Sequence, residues 1–451
     1  MQRDERGLKL TTDSAKAAAL FDRAVEHYLK FHADTMAVLN DALADDPGFV
    51  MGSVFKAYLL LSASNPANAA AIAASLAKAG AGAPQATPRE QMHLAACAAW
   101  ARGALDQSFR IWRDLLDAHP TDLLAVRISD TTWFRHGQTQ AVLAQADRLA
   151  PAWSPDLPGY DCFRTVWGFA HEETGDYAGA ERAVDAAVAQ DPTNFFAHHV
   201  KAHVLEMDCR PAEGRDWLAA QVPHWRLGNN LVHHLWWHQA LMLLDLGERD
   251  AVLESYDRNI RNHAAPMTKA APDHYNDLQN AAALLWRLEV LGVPVGDRWQ
   301  ELADKAEARI GDIGHLLLVP HLMLALAATG RDAAAARFLA ALHERAEDPT
   351  LWTAPAIADV VIPVCEAALA HRRQQHARVV DLLAPRRDRI RLLGGSNAQR
   401  DLFMQILIDS AMHADRRDVV AEMVAHETAT RAVPPSQRTG YAAAAHWVGS
   451  S

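Results

Sequence analysis

Histidines recur one helical turn apart in two segments of the chain. His199 and His203 stand four residues apart in the first segment, and His234 and His238 do so in the second. On a helix, residues four apart project from the same face, so each pair presents two imidazoles together. Imidazole nitrogens in such sets are typical ligands of divalent transition metals. The two segments therefore predict a histidine-rich metal site, provided that the two helices are neighbours.

Two carboxylates continue these histidine faces. Glu206 stands three residues after His203, and Asp245 stands seven residues after His238, which is two helical turns along the same face. A partly buried carboxylate near a cation can act as a metal ligand or as a general base. We therefore predict Glu206 as a ligand or catalytic base, and Asp245 as a base or as a ligand of a second metal.

The elements that must position these residues show the spacing of tetratricopeptide units, whose period is about 34 residues. Small, turn-forming and aromatic residues fall at the expected places of one unit, namely Gly168, Gly175, Tyr177, Ala180, Ala187 and Pro192. Continuing the count makes 161–262 the clearest run of repeats and places both histidine pairs on the first helices of consecutive units. Those places line the concave groove of tetratricopeptide arrays, so the pairs should face one cavity. Glu173 takes the same thirteenth place as Asp245 and is predicted as a further base or ligand.

The rest of the chain predicts an all-α fold. Half of the 451 residues are hydrophobic, helical periodicity dominates, and alternating strand patterns are scarce. Capping boxes predict helix starts at Thr87 and Ser396, and glycines predict a loop at 80–84. Helix pairs are predicted in residues 15–46, 104–150, 161–191, 194–222, 231–262, 275–310, 315–346 and 355–383. No linker divides these blocks, so we expect one domain over 1–451, an α-solenoid of tetratricopeptide-like helix pairs that encloses a central groove or cavity.

Charge, cysteine content and hydropathy narrow the class of protein. The formal net charge is −11, so nucleic acid is not an expected partner. Four cysteines without a CxxC motif indicate no disulfide framework. No run of about 18 apolar residues stands out, which predicts a cytoplasmic protein without a membrane partner. No GxSxG, P-loop, GxGxxG or HExxH motif occurs, so serine hydrolase and nucleotide-binding functions have little support.

Several segments are similar to those of a known family. The most specific runs from Leu393 to Asp401 and reads LGGSNAQRD; the others are LFDRAV from Leu20, DPGFVMG from Asp46, AHVLEM from Ala202, and the pair Tyr256-Asp257. On these motifs the chain resembles the tetratricopeptide repeat protein 38 family, found in bacteria and animals, over nearly its whole length. The resemblance implies the helical-repeat fold, and it implies no particular chemistry.

Three functional interpretations fit these patterns. The first is a metal-dependent enzyme of hydrolase or oxygenase type that acts on a small-molecule substrate, with Zn²⁺, Fe²⁺, Mn²⁺ or Ni²⁺ as the bound ion. The second is a non-catalytic tetratricopeptide adaptor that binds a peptide or protein partner in its groove. Adaptor grooves commonly present Lys, Arg and Asn, whereas this groove offers His, Glu and Asp. The third is a structural hydrogen-bond network of the same side chains without a metal.

Overall fold

The protein is an all-α helical solenoid, as the sequence predicts. The structure, a computed structural model, describes residues 1–449. Two short strands, Gln2–Arg3 (β1) and Lys9–Leu10 (β2), pair antiparallel at the start of the chain. Everything else in regular structure among the described residues is helical, apart from one isolated bridge between His32 and Gly228.

Many helices that follow one another along the chain pack against each other. Those of the first half are α1 Ala15–Leu29, α2 Thr35–Asp45, α3 Val50–Ser62, α4 Ala69–Gly82, α5 Pro88–Ala101, α6 Leu105–Ala118, α7 Leu123–Arg135, α8 Thr139–Leu149, α9 Tyr160–Glu172, α10 Tyr177–Gln190, α11 Phe195–Met207 and α12 Pro211–Gln221. Those of the second half are α13 Leu231–Asp245, α14 Arg249–Ser255, α15 Pro266–Ala270, α16 Tyr275–Val290, α17 Arg298–Ala308, α18 Leu318–Ala328, α19 Asp332–Ala346, α20 Ala354–Ala356, α21 Ile362–Arg372, α22 His376–Leu383, α23 Asn397–His413, α24 Arg417–Thr430 and α25 Ala442–Gly449.

Local signals in the sequence set several helix boundaries. Both predicted capping boxes are present, with the Thr87 hydroxyl accepting from the backbone of Glu90, and Ser396 from that of Gln399. The predicted loop at 80–84 is wrong, because α4 continues to Gly82. Gly82 lets the end of that helix approach α3, since a Cβ there would lie 2.6 Å from Val50 Cγ2. Residues 104–150 hold three helices rather than a pair.

The crossing of α9 and α10 depends on a residue without a side chain. A Cβ at Gly168 would lie 3.2 Å from both Ala183 Cβ and Val184 Cγ1 on α10. The turn between the helices contains Gly175, whose φ of +96° is readily adopted by glycine. These two glycines occupy the places that the repeat spacing assigned to them, although the tetratricopeptide register of the whole chain stays a prediction.

A larger side chain at this crossing should destabilise the fold. We expect Gly168→Val to lower the free energy of unfolding by about 1–3 kcal/mol, because its methyl groups must push α9 away from α10. Urea denaturation followed by circular dichroism measures the change. The control is Gly80→Ala, because a Cβ added at Gly80 has no atom within 4 Å. Gly311 also has space for a Cβ, but its positive φ makes it unsuitable as a control. Equal stability of wild type and Gly168→Val would contradict the close crossing.

The C-terminal part of the chain returns to the N-terminal half. Gly394 has φ +75° and ψ −165°, and a Cβ there would lie 1.9 Å from the carbonyl oxygen of Arg135 at the end of α7. The Arg391 guanidinium donates to the carbonyl oxygen of Gly137, 3.2 Å away. The LGGSNAQRD motif therefore joins segments more than 250 residues apart. A central groove and a single domain over 1–451 stay predictions.

One stretch of the described chain has the length and hydropathy of a membrane span. It runs from Ala354 to Arg372 through α20 and α21, and 67% of its apolar window is buried inside the protein. Asp359 and Glu366 interrupt it, so it does not stand out as an apolar run in the sequence. Burial of this kind is also found in the core helices of soluble proteins. The cytoplasmic location stays a prediction.

Candidate metal centre

Helices α11 and α13 lie side by side and bring the two histidine pairs together. The ring centroids of His203 and His238 are 4.5 Å apart, and those of His199 and His234 are 4.9 Å apart. All four side chains are buried, with relative exposures between 0% and 7%. The prediction that these helices are neighbours is confirmed, and the four residues are called the four-histidine cluster below.

The nitrogens of the cluster are close enough for one ion. His199 Nε2 and His203 Nε2 are 2.9 Å apart, and His234 Nε2 and His238 Nε2 are 3.2 Å apart. One nitrogen from each of the four rings lies within 4.8 Å of the others. Tetrahedral zinc with Zn–N bonds of about 2.0–2.1 Å requires neighbouring nitrogens roughly 3.3 Å apart. The four-histidine cluster can therefore hold a metal ion after small adjustments of the rings.

Two of the four rings have a hydrogen-bond partner at the other nitrogen. His238 Nδ1 lies 2.7 Å from Glu206 Oε2, and His234 Nδ1 lies 2.9 Å from Asn280 Oδ1. In metal sites such partners accept the Nδ1 proton, which fixes the tautomer and leaves Nε2 free to bind the ion. His203 Nδ1 lies 3.3 Å from Glu172 Oε2, but neither atom makes a hydrogen bond within the protein.

Burial keeps the imidazoles neutral. It lowers the pKa of His203 to about 4 and that of His234 to about 3. The pKa values of His199 and His238 also fall well below the usual value, first because of burial and then because the rings repel one another's charge. Neutral imidazole is the form that binds a metal.

The pKa values of the surrounding carboxyl groups shift upwards, opposite to those of the histidines. Burial raises the pKa of Glu172 and of Glu206 to about 8, and burial together with repulsion by Glu172 raises that of Glu173 to about 7. Glu172 is fully buried, and neither carboxylate oxygen has a hydrogen-bond donor within the protein. A cation in the neighbouring cluster would favour the ionised forms of these groups.

The predicted carboxylates lie around the cluster rather than within it. Glu206 contacts the Nδ1 side of His238, so its place is that of an outer partner instead of a direct ligand. Glu173 accepts from the backbone amide of Asn397 at 3.1 Å and lies 3.7 Å from His203 Nδ1. The structure does not bring Asp245 to the histidines, because seven residues of helix rise about 10.5 Å. Its carboxylate instead accepts from the backbone amide of Thr439 at 3.1 Å.

Sequence reasoning missed Glu172 and Asn280, although the repeat spacing contained a signal for the first. Glu172 and Glu206 are 34 residues apart, which is one tetratricopeptide period. Glu172 is the last residue of α9 and Glu206 lies near the end of α11, and their carboxylates lie near His203 and His238. No comparable spacing points to Asn280, which reaches the cluster from α16.

A cavity of about 320 Å³ opens beside the cluster, and His199 and His234 form part of its wall. Buried polar atoms without a partner in the protein are concentrated there, namely His32 Nε2, Ser62 Oγ, Arg127 Nε, Asp130 Oδ1, Thr131 Oγ1, His199 Nδ1 and Gln279 Oε1. Buried polar groups normally have hydrogen-bond partners. This cavity, called the cluster cavity below, therefore suits a polar molecule that supplies them.

Among the described residues, other groups of side chains could also hold an ion. None of them combines four histidines that are all buried. One combines His371, His376 and Asp409, all half-buried, and another combines His27, His32 and Asp34. Glu172, Glu173 and His203 form a third group, which shares a histidine with the cluster. The four-histidine cluster is the strongest candidate because all of its ligand atoms are imidazole nitrogens shielded from solvent.

No protein-family model matches the chain. The resemblance to the tetratricopeptide repeat protein 38 family therefore stays a prediction. The fold and the site by themselves define a class: an all-α helical solenoid with a buried four-histidine cluster that can hold a metal ion.

Proposed function

We propose that the protein is a metal-dependent enzyme that acts on a small polar molecule, with the metal in the four-histidine cluster. The observation that carries this proposal is the convergence of four Nε2 atoms, two of whose rings, His234 and His238, are held by an oxygen at Nδ1. Membership of the tetratricopeptide repeat protein 38 family is part of the same proposal and adds no chemistry to it.

Proton placement favours a metal over a purely structural network. A neutral imidazole carries one proton. If His234 and His238 donate their Nδ1 protons to Asn280 and Glu206, both Nε2 atoms are bare acceptors that face each other at 3.2 Å. Two facing lone pairs repel, whereas a shared cation between them removes the repulsion. The metal interpretation therefore explains why the two Nε2 atoms face each other at short distance without a proton between them.

The cluster cavity gives the proposed enzyme a place for its substrate. A volume of about 320 Å³ suits a small molecule rather than an extended peptide. Arg127 lies over the Phe196 ring at 4.0 Å and donates to Asp130 at 3.4 Å, so these two side chains present a buried donor and acceptor to the cavity. They would orient a polar substrate against the wall formed by His199 and His234.

The residues around the cluster have defined tasks in this proposal. A bound transition metal supplies Lewis acidity and lowers the pKa of a coordinated water. His199 and His234 connect the cluster to the cluster cavity, while His203 and His238 hold the ion from the buried side. Glu206 would accept the Nδ1 proton of His238 and orient that ring, and Glu172 lies 3.3 Å from His203 Nδ1 without a hydrogen bond between them. Imidazole ligands suit Zn²⁺, Fe²⁺, Mn²⁺ and Ni²⁺, which leaves hydrolase and oxygenase chemistry both open.

The direct test is metal analysis followed by an activity screen. The purified protein is loaded with each of the four ions, dialysed, and its metal content measured by mass spectrometry; we expect about one ion per chain. The loaded protein is then assayed against small amides, esters and oxidisable substrates. A protein that binds metal, is inert throughout and binds a peptide would favour the adaptor, and a protein that binds no metal would favour the structural network.

Glu206→Gln tests the role of the outer carboxylate. The change retains the size of the side chain and loses its charge, so His238 is oriented and polarised less well. We expect metal affinity, and turnover where it is found, to fall by about 10–100-fold, which is typical for loss of such a partner. Glu213→Gln is the control, because Glu213 is on the adjacent helix and half exposed, where it pairs with Arg210. Equal metal affinity in wild type and Glu206→Gln would remove Glu206 from the site.

A further inference from the structure

A second cavity, of about 340 Å³, lies on the other side of Glu206. It is formed by α13, α16, α23 and the segment after α24, and it shares no lining residue with the cluster cavity. Its wall reaches the protein surface at Val290, which is 46% exposed, and at His413, whose side chain is 57% exposed. We call it the Arg287 cavity, after the cation in its wall.

Arg287 is a buried cation without an acidic partner. The residue is 5% exposed, and its guanidinium donates to the carbonyl oxygen of Ala283, one turn earlier on α16, at 3.2 Å. Among the described residues, no carboxylate oxygen lies within 4.0 Å of this guanidinium. Burying an arginine charge without a paired anion is costly, so such a group in a cavity wall favours the binding of an anion.

The other charged groups of the Arg287 cavity already have partners, including Glu206, whose Oε2 lies 2.7 Å from His238 Nδ1. Asp401 accepts from Gln405 Nε2 at 2.7 Å and from the Tyr441 hydroxyl, and Asp409 lies 2.8 Å from His371 Nε2. Asp245 accepts from the Thr439 amide. The two remaining arginines of the wall, Arg431 and Arg438, both pair with Glu427. Arg287 is therefore the cation of this wall that remains available to a ligand.

Apolar side chains form much of the remaining wall. Leu241, Leu244 and Ile408 are buried there, and they come from two different helices. Trp286 adds an aromatic side chain. A cavity that combines one unpaired cation with apolar side chains is complementary to a molecule with one anionic end and an apolar body.

We propose that the Arg287 cavity binds a small monocarboxylic acid with an apolar body. The Arg287 guanidinium pairs with the carboxylate, a geometry that arginine favours because its fork matches two carboxylate oxygens. The carboxylates of Asp245 and Asp401 in the same wall repel a further negative charge, so we expect a monoanion to bind more tightly than a dianionic phosphate monoester. None of the four histidines lines the cavity, but Glu206 does, so the test is made without added metal and with variants that leave Glu206 unchanged.

Isothermal titration calorimetry of the full chain at pH 7.5, without added metal, tests the proposal. The probe is 3-phenylpropionate, and its comparisons are the neutral 3-phenylpropan-1-ol and the dianion phenyl phosphate. We expect both comparison ligands to bind at least tenfold more weakly than the acid. Arg287→Met should weaken binding of the acid at least tenfold and leave that of the alcohol unchanged. Arg110→Met is the control, because Arg110 is exposed and lies outside this cavity.

A surface variant keeps the test valid if Arg287→Met does not fold. Val290→Asp places a negative charge at the mouth of the cavity and should weaken binding of 3-phenylpropionate several-fold, whereas Val290→Lys should strengthen it. Three results would overturn the proposal: no binding of the acid to wild type, equal binding of acid and alcohol, or binding of phenyl phosphate as tight as that of the acid. In the first case Arg287 serves as a counter-charge for Asp245 and Asp401.

Discussion

Replacement of His238 by alanine is expected to abolish stoichiometric binding of a divalent transition metal. The imidazole supplies one of four converging nitrogens, with its Nε2 3.2 Å from that of His234. Loss of an outer partner lowers metal affinity by about 10–100-fold, and loss of a ligand should lower it further. His203→Ala removes the equivalent nitrogen of the other pair and should have the same effect.

Thermal denaturation gives a second readout of the same prediction. An ion that binds only the folded state stabilises it by about 2.7 kcal/mol when its free concentration is 100 times the dissociation constant. Metal-free wild type should therefore melt at a higher temperature after addition of the preferred ion, and His238→Ala should not respond. Identical melting of metal-free wild type with and without each of the four ions would show that the histidines form a structural network.

His321→Ala is the matched control for the loss of a buried imidazole. His321 is 2% exposed on α18, its Nδ1 donates to the carbonyl oxygen of Leu317 at 2.7 Å, and its ring packs on Phe403. The substitution leaves a cavity of similar size in the core, so its effect on stability should resemble that of His238→Ala without metal. Metal content should remain as in wild type.

The four histidines at the centre of the site could be predicted from sequence because their positions depend on short spacings along the chain. A spacing of four residues determines that two imidazoles share a helix face, and a period of about 34 residues predicts that two such helices are neighbours. The same period relates Glu172 to Glu206, so the outer carboxylate of His203 was also within reach of the sequence. Alanine and glycine at Ala180 and Gly168 allowed the close crossing to be anticipated.

The cavities could not be predicted, because they depend on contacts between distant segments. Arg127 and Gln279 both line the cluster cavity, although they come from α7 and α16. The two helices also meet where the Arg135 guanidinium donates to the Tyr275 hydroxyl at 2.7 Å, and no local pattern specifies that contact. The absence of an acidic partner for Arg287 is likewise a property of the packed structure. Asp245 was predicted from its helix face alone, but it lies two turns beyond His238 along the helix axis and does not reach the histidines.

Asp130→Asn should stabilise the protein at neutral and alkaline pH, by an amount that grows with pH. Asp130 is 1% exposed, and burial raises its pKa to about 7 despite the opposing effect of Arg127. Its Oδ1 has no partner in the protein. A buried carboxyl group with a raised pKa is typical of functional sites, where groups needed for function often lower the stability of the fold.

The direction of the pH dependence follows from the raised pKa. In the folded state the carboxyl stays protonated up to about pH 7, whereas in the unfolded chain it ionises near 3.8. The stability that Asp130 contributes is therefore fully present below pH 3.8 and is lost as the pH rises through 7. Asparagine does not titrate, so the stability of the variant relative to wild type should increase by about 1.4 kcal/mol per pH unit between these limits.

Urea denaturation at pH 4.5, 6 and 8 measures this difference. The gain from Asp130→Asn should approach roughly 4 kcal/mol at pH 8, an upper limit because Arg127 and water moderate the cost of the buried charge. Asp106→Asn is the control, since Asp106 is exposed and its substitution should have a small effect at every pH. A difference between Asp130→Asn and wild type that does not change with pH would mean that Asp130 is ionised throughout. If the proposed enzyme uses this carboxyl to orient its substrate, the stabilised variant should also lose turnover, because the group that destabilises the fold is the one that binds the substrate.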